Sequence, residues 1–493
     1  MKLSLVNHNY KYELEKLIRL FLPFEKIEFS DLEVCENDTA VTVLFDKNGE
    51  LCAKSTLDFL GKTYCSQKKV EHINGDFEKD AELALAECLY ECLVAATGYK
   101  SPWGIVTGIR SAKLYSRIAN EKGEAFAEEY FEKHLKVSKE KILLCKETNF
   151  SEEKIISLSS KNSFSLYISI PFCPSRCSYC SFVSHSVEQA KKLIPQYVEL
   201  LCEELKQTAK IAKFLKLKLE TVYIGGGTPT TLTAEQLKTV MQTVSENFDL
   251  SEISEYTVEA GRPDTVTKEK LLVIKEFGAT RISINPQTMN DSVLKAIGRN
   301  HTAKQTKEAF LLARECGFNN INTDLIAGLP TDTYDSFCET VSDVLKLEPE
   351  SVTVHSLSMK RSSRLTVSGS IPDIEIGNEA LKMVNFANKT FKENELFPYY
   401  MYRQSKTVGN LENVGYSKKG YECLYNVYIM DETHTILACG ASAVTKLREP
   451  NGNHIERIFN YKYPYEYITQ FSDILSRKEG VVDFYEKYPF GNK

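Results

Sequence analysis

The sequence predicts an α/β protein: a partial (β/α)6 barrel, preceded by an N-terminal α+β domain and followed by a C-terminal α+β extension. Six short apolar runs, SLYISIP, TVYIGGG, EYTVEAG, RISINPQ, INTDLIAGL and SVTVHSL, succeed one another from Ser165 to Leu357. Helical segments such as YVELLCEELKQTAKIAKFL and TAKQTKEAFLLARECGF lie between them. Strands alternating with helices make βαβ units and a parallel sheet, and six units fall short of the eight of a closed barrel. The rhythm is absent on either side, which sets domains at 1–160, 161–361 and 362–493.

In the first domain, TAVTVLFDKNGELCAKSTLDFL alternates apolar and polar residues around KNGE, the pattern of a hairpin. DAELALAECLYECLVAATGY follows with helical periodicity. Its Cys88 and Cys92 have no histidine or further cysteine nearby and read as small core residues on a buried stripe. SPWGIVTGIRSAKLYSRI carries the only tryptophan and opens a charged, mostly helical linker to about Ser160. Its WGIVTGIR is either an anion-binding turn using Arg110 or a plain loop around Trp103. Beyond 362, PYYMYRQ, YNVYIMD and HTILACGASAV read as strands of an antiparallel extension, and EYITQFSDILSRK as a helix.

At 493 residues and 42% hydrophobic content, the chain has material for two or three packed domains. A net charge of −6 leaves no electrostatic footprint for nucleic acid, although a local basic pocket can still receive an anionic small molecule. The opening MKLSLVNHNYKYELEKLIRLFLPFEK lacks the apolar core of a signal peptide, and no charge-free apolar run is long enough to span a bilayer. The expectation is a soluble, cytoplasmic protein whose 14 cysteines are reduced thiols.

The chemistry concentrates where the predicted strands end. CPSRCSYC, residues 173 to 180, follows the first strand and holds Cys173, Cys177 and Cys180. Structural zinc takes four protein ligands and an iron–sulfur cluster usually takes four cysteines, so three leave one corner open. A 4Fe–4S cluster on three thiolates would offer one iron to a substrate or cofactor. The second strand ends in GGGTPT, where consecutive glycines admit a close approach of backbone or ligand. Glu259 ends the third strand with a carboxylate able to accept two hydrogen bonds from a ribose, Arg281 and Gln287 bracket the fourth, and Asp324 lies inside an apolar run where a lone carboxylate is expensive. Each polar residue alone is as well explained by a salt bridge or cap; at consecutive strand ends they favour a shared ligand. His355 is either a haem or substrate contact or a satisfied core histidine.

The CxxxCxxC pattern with an aromatic, Tyr179, before its last cysteine resembles the radical S-adenosylmethionine (SAM) superfamily. SLYISIPFCPSRCSYCSF, YIGGGTPT, VEAGRPD, RISINPQ, AIGRNHT, INTDLIAGLP and LENVGYSKKG together resemble the oxygen-independent coproporphyrinogen III oxidase family, closest to its HemZ-type dehydrogenase branch. The resemblance implies a partial radical-SAM barrel under a substrate-covering C-terminal domain. It implies that Cys173, Cys177 and Cys180 bind a 4Fe–4S cluster whose open iron chelates S-adenosylmethionine. It further implies that Tyr167 and Tyr179 lie at the cofactor, that Gly226, Gly227 and Thr228 contact its methionyl part, and that Glu259 meets it as a carboxylate. Gln287, Arg299 and Asp324 match residues that help hold a second cofactor molecule or the substrate region, and Ser356 and Val444 fall at further positions of that site.

For the oxidase family the implied reaction is hydrogen abstraction from a propionate, loss of carbon dioxide and formation of a vinyl group, twice, giving protoporphyrinogen IX. The implied partners are the tetrapyrrole, a low-potential electron donor and an electron acceptor, with no nucleic acid and no membrane span. Candidate partners for the substrate carboxylates are Arg299, Arg361, Arg364 and Arg403, because a planar guanidinium pairs with carboxylates bidentately. PYYMYRQ offers aromatic surface for the macrocycle, or simply packs. One departure matters: the oxidase pattern continues with a further cysteine where this chain has Phe182, as haem-trafficking relatives of HemW type do. Three functions therefore stay open: porphyrinogen decarboxylation, haem binding and delivery, or another radical reaction on a tetrapyrrole.

Overall fold

The computed structural model describes residues 1–23, 25–30, 38–180, 185–358, 374–404 and 406–491. They form two compact units. The first comprises Met1–Asn149 with Thr366–Lys382 and Tyr402–Glu412. Its sheet contains β1 (Lys2–Val6), β2 (Glu28–Ser30), β3 (Thr39–Lys47), β4 (Glu50–Phe59) and β5 (Lys62–Lys69) in the order β2-β1-β3-β4-β5. The expected hairpin is β3–β4, and its turn places Asn48 at φ 59° and Gly49 at φ 83°, the left-handed pair that matches the twist of the flanking strands. The helix Phe77–Thr97 covers this sheet, capped by the Asp76 side chain at its start and by left-handed Gly98 at its end. Cys88 and Cys92 are fully buried on it, their thiols directed at the Ala53 and Ser55 carbonyls of β4, so they are core residues.

WGIVTGIR is a loop organised around Trp103, which is completely buried. The indole N–H donates to Glu412 at 2.7 Å, and the Lys141 ammonium pairs with the same carboxylate at 2.6 Å. The guanidinium of Arg403 lies 5.1 Å above the indole ring and donates to the carbonyls of Val106 and Asn410. Arg403, expected as a substrate contact, is thus 3% exposed and held in the interior of this unit.

The second unit comprises Phe150–Leu365, Met383–Met401 and Asn413–Lys493. The six expected strands are β6 (Ser163–Ile170), β9 (Lys218–Gly226), β10 (Glu255–Glu259), β11 (Arg281–Ser283), β12 (Ile321–Ala327) and β13 (Ser351–Ser356), with the short pair β7 (Phe172–Cys173) and β8 (His185–Ser186) after the first. They are parallel and sequential, β6-β9-β10-β11-β12-β13. Leu166, Ile168, Val222, Ile224, Val258 and Ile282 are wholly buried, because they form one core with helix residues of the crossovers such as Leu201, Leu205, Val240 and Leu271.

The C-terminal segment is the expected extension, with one parallel pairing among its antiparallel ones. β14 (Phe397–Arg403), β15 (Glu412–Ser417), β16 (Thr435–Cys439), β17 (Val444–Arg448) and β18 (Ile455–Phe459) continue the same sheet. β15 pairs antiparallel with β13, whereas β16 pairs parallel with β6. The outermost barrel strands are therefore each bordered by a later strand, and the sheet stays open among the described residues. YNVYIMD is a helix, Leu424–Asp431, not a strand. Its aromatic and β-branched composition favours a strand locally, but the Glu255 carboxylate caps its start, accepting from Leu424 N at 2.7 Å and Tyr425 N at 3.4 Å. The expected boundaries at 161 and 362 thus differ from the compact units, since β14 to β18 belong to one sheet with β6 to β13.

Replacing Glu412 by alanine removes the buried carboxylate that the Lys141 ammonium and the Trp103 N–H share. The expected loss is about 3–5 kcal/mol, the usual cost of breaking a buried ion pair from one side. Chemical denaturation followed by Trp103 fluorescence checks it.

Candidate functional site

Parallel strands deliver their C-terminal ends to one rim, where the loops leaving them converge. The cysteine loop is fixed there by its neighbour. Gly227 N donates to Ile170 O at 2.8 Å and Thr228 N to Phe172 O at 2.7 Å. A Cβ on Gly227 would stand 2.6 Å from Phe172 O and 3.0 Å from Cys173 Sγ, so the approach requires glycine. Gly226 reaches it through φ 108°, a region L side chains avoid. On its far side the loop is tied to AIGRN: Ser178 N donates to Ile297 O at 3.0 Å and Ser175 Oγ to Gly298 O at 3.2 Å.

Cys177 is buried, Cys173 and Cys180 are half-buried, and none of the three is in a disulfide. Thr228 Oγ1 donates to Cys173 Sγ, and the guanidinium of Arg262 to Cys177 Sγ, each at 3.6 Å. Among the described residues, no group of three or more His, Cys, Asp or Glu side chains converges as one metal ion would require. A 4Fe–4S cluster takes one thiolate at each iron, and hydrogen-bond donors at the sulfurs of Cys173 and Cys177 are what such a thiolate accepts.

Glu259 ends β10 beside this loop. Tyr223 donates its phenol to the carboxylate, and Tyr223, Tyr425 and Tyr167 stack in turn, with ring centroids 4.5 Å apart for the first pair and 6.0 Å for Tyr167–Tyr425. Loss of hydration pushes the Glu259 carboxyl up to about 7, against the hydrogen bond from Tyr223; the Asp324 charge adds to the rise and Arg281 opposes it. Arg281 is 1% exposed and donates to Ser351 Oγ at 3.1 Å. Asp324 accepts from Asn322 Nδ2 at 2.8 Å, and His355 Nε2 stands 3.7 Å from its other oxygen. Burial alone would raise the Asp324 carboxyl, but His355, Asn322 and Arg281 together hold it below the ordinary value. His355 is therefore the partner of Asp324 within this cluster of charges.

Gln287 is buried with a left-handed φ of 71°, its backbone woven into β12 through Gln287 N to Asp324 O and Ile326 N to Gln287 O. Arg299 is anchored to Asn285 O at 2.7 Å and points Nε at the Tyr179 hydroxyl, 3.3 Å away. Ser356 ends β13, where its N–H donates to Asn413 Oδ1, and Val444 begins β17; β13 is the barrel strand at one end of the six, and β17 lies beyond the other end in the sheet order. Tyr399 and Tyr400 of PYYMYRQ are buried, as packing residues. Phe182, Arg361 and Arg364 lie outside the described residues. Sequence reasoning assigned no role to Arg262, Tyr223 or Tyr425. Arg262 stands in the quoted VEAGRPD, but no spacing signals that its fork turns back to a cysteine more than eighty residues earlier.

The Radical SAM superfamily model matches residues 167–344, the stretch that builds this rim. The chain is 38% identical over 392 residues to the oxygen-independent coproporphyrinogen-III oxidase-like protein HemZ of Bacillus subtilis (strain 168), covering 78% of each. It is 40% identical over 194 residues to the heme chaperone HemW of the same organism, covering 39% of this chain and 50% of HemW. Coproporphyrinogen III oxidase HemN from Escherichia coli superposes with a TM-score of 0.52 at 21% identity, over 66% of this chain and 73% of HemN, a likeness of fold. Fold and cysteine loop together define a radical SAM domain. The chain belongs to the oxygen-independent coproporphyrinogen III oxidase-like family of HemZ type. That superfamily implies S-adenosylmethionine and a 4Fe–4S cluster.

The raised carboxyl of Glu259 has a measurable signature in the ligand-free protein. Between the ordinary 4.5 and about 7 the folded chain holds a proton here that the unfolded chain has lost. This contribution to stability is complete below 4.5 and disappears as pH rises through about 7. Glu259→Gln is expected to remove that component from the pH dependence of the urea midpoint; an unchanged profile would assign the titration elsewhere.

Proposed function

We propose that this protein is a radical SAM oxidoreductase acting on a tetrapyrrole, converting coproporphyrinogen III to protoporphyrinogen IX by oxidative decarboxylation without oxygen. The observation that carries this reading is the conjunction of three cysteines in the loop after β6 with Glu259, Asp324 and Arg281 on one face of the same sheet. The extent of similarity to HemZ supports it. In this reading Cys173, Cys177 and Cys180 hold the cluster. When bound, the cluster and S-adenosylmethionine supply one-electron chemistry strong enough to take hydrogen from an unactivated C–H bond.

The chain's own residues bind, orient and exclude water. The backbone of Gly226 and Gly227 and the Thr228 hydroxyl receive the methionyl part of the cofactor. Glu259, once ionised, accepts hydrogen bonds from the ribose. Tyr167 presents its ring beside the cofactor, supported by Tyr223 and Tyr425. Tyr179, Gln287, Arg299 and Asp324 form the adjoining region for the substrate or a second cofactor molecule. An electron donor and an acceptor complete the reaction. A cytoplasmic setting fits helices of which none, among the described residues, is long and apolar enough to cross a membrane.

A second reading, haem binding and delivery, draws on the similarity to the heme chaperone HemW and on Phe182 in place of a further cysteine. Anaerobic incubation of the reconstituted protein with coproporphyrinogen III, S-adenosylmethionine and a chemical reductant separates the two. Decarboxylation predicts products lacking one and then two carboxyl groups by mass spectrometry. Stoichiometric haem binding with no decarboxylated product would favour the carrier.

The cluster assignment has its own check. Cys177→Ala is expected to abolish the cluster's visible absorption and spin signal, and full iron and sulfide content in that variant would sink it. Calorimetric titration with S-adenosylmethionine is expected to show affinity rising as pH passes through about 7, and Glu259→Gln is expected to weaken binding and flatten that rise.

A further inference from the structure

Arg262 is almost completely buried, 3% exposed, at the first residue of the turn that follows β10. Its guanidinium is fixed from several sides. Nε and Nη2 meet the two oxygens of Asp264 at 3.1 and 3.2 Å, a fork-to-fork pair. Nη1 and Nη2 both reach Ser175 Oγ at 3.3 Å, and Nη1 reaches Cys177 Sγ at 3.6 Å. The backbone is held as well, since Arg262 O accepts from Thr265 N at 2.9 Å and from Thr265 Oγ1 at 2.8 Å. A buried cation is thereby aimed, in one orientation, at the sulfur of one of the three cysteines.

We infer that Arg262 raises the reduction potential of the cluster, and that Asp264 holds the arginine in place while moderating its charge. The inference rests on reading Cys173, Cys177 and Cys180 as the cluster ligands. The potential of an iron–sulfur cluster depends on net charge and on hydrogen bonds to its sulfurs. Reduction adds an electron, and a cation donating to a ligand sulfur favours that more negative state. Burial leaves little water to screen the interaction. The neutral donor Thr228 Oγ1 on Cys173 acts in the same direction without a charge. Arg262 is therefore a tuning residue behind the ligands. It would ease electron entry, the step that every reaction of this site requires.

A clamp that only braced the loop through Ser175 predicts something different, so the test uses opposing charges. The full chain is reconstituted anaerobically without S-adenosylmethionine, its iron and sulfide are counted, and its midpoint potential is measured by titration followed by electron paramagnetic resonance. Arg262→Gln is expected to keep the cluster and shift the midpoint to more negative potential. Arg262→Lys, which keeps a cation, is expected to lie between that variant and the unmodified protein. Asp264→Asn removes the moderating carboxylate and is expected to shift the midpoint to more positive potential. Equal potentials at full iron content, or shifts of the same sign in Arg262→Gln and Asp264→Asn, overturn the inference while leaving the cluster assignment intact. Equal loss of iron in Arg262→Gln and Arg262→Lys also overturns it, in favour of the clamp. Failure of the unmodified chain to hold a 4Fe–4S cluster overturns the cluster reading itself, and this inference with it.

Discussion

The close passage of two backbones at the end of β9 is the constraint on which the rim depends. Gly227 lies against Phe172 with no room for a side chain, and two hydrogen bonds fasten the start of the cysteine loop to the glycine turn. A loop carrying three thiols would otherwise sample many arrangements, each costing conformational entropy to select. Here the selection is made by strand register: β6 and β9 pair through Ile170 and Gly226, and the loop inherits its position from that register. The second anchor, through Ile297 and Gly298, works the same way, by backbone acceptors rather than by the cysteines' own side chains.

The inner face of the sheet combines groups that are costly to bury apart. Glu259, Asp324, Arg281 and His355 occupy it together, and the two carboxyls part: burial raises Glu259, whereas His355, Asn322 and Arg281 hold Asp324 down in spite of burial. Glu255 contributes at a distance: by capping the helix Leu424–Asp431 it sets where Tyr425 stands, and Tyr425 in turn stacks on Tyr223, the donor to Glu259. One carboxylate at the start of β10 thus bears on another at its end through a helix from the last part of the chain.

All six parallel strands were legible in the sequence because each is a short apolar run bounded by helical periodicity. The KNGE hairpin was legible because its turn demands left-handed residues that Asn48 and Gly49 supply. The cysteine loop and its glycine partner could be seen as neighbours because parallel strands place consecutive loops on one rim. Long-range pairing was hidden. YNVYIMD has the composition of a strand, and nothing within it reveals the cap supplied by Glu255. HTILACGASAV was correctly read as extended, but not as a parallel neighbour of β6, since pairing partners leave no local trace. Arg403 looked like a free cation and is instead buried over Trp103, a pairing that joins residues 300 positions apart. Arg262 escaped notice for a similar reason: its aim is set by the turn beyond β10, not by its spacing from the cysteines.

Chain order gives the flanks of the sheet a further meaning. β6 and β13 are bordered by β16 and β15, whose residues are synthesised long after the strands they cover. During synthesis both margins of the parallel sheet would carry unsatisfied amides and carbonyls, the kind of edge on which chains aggregate. Such distant pairings also form slowly, because large loops must close first. Cys173, Cys177 and Cys180 emerge from the ribosome well before either border strand exists, so the thiols are present before their support is complete. Premature oxidation of the three thiols thereby becomes the hazard that the growing chain must escape.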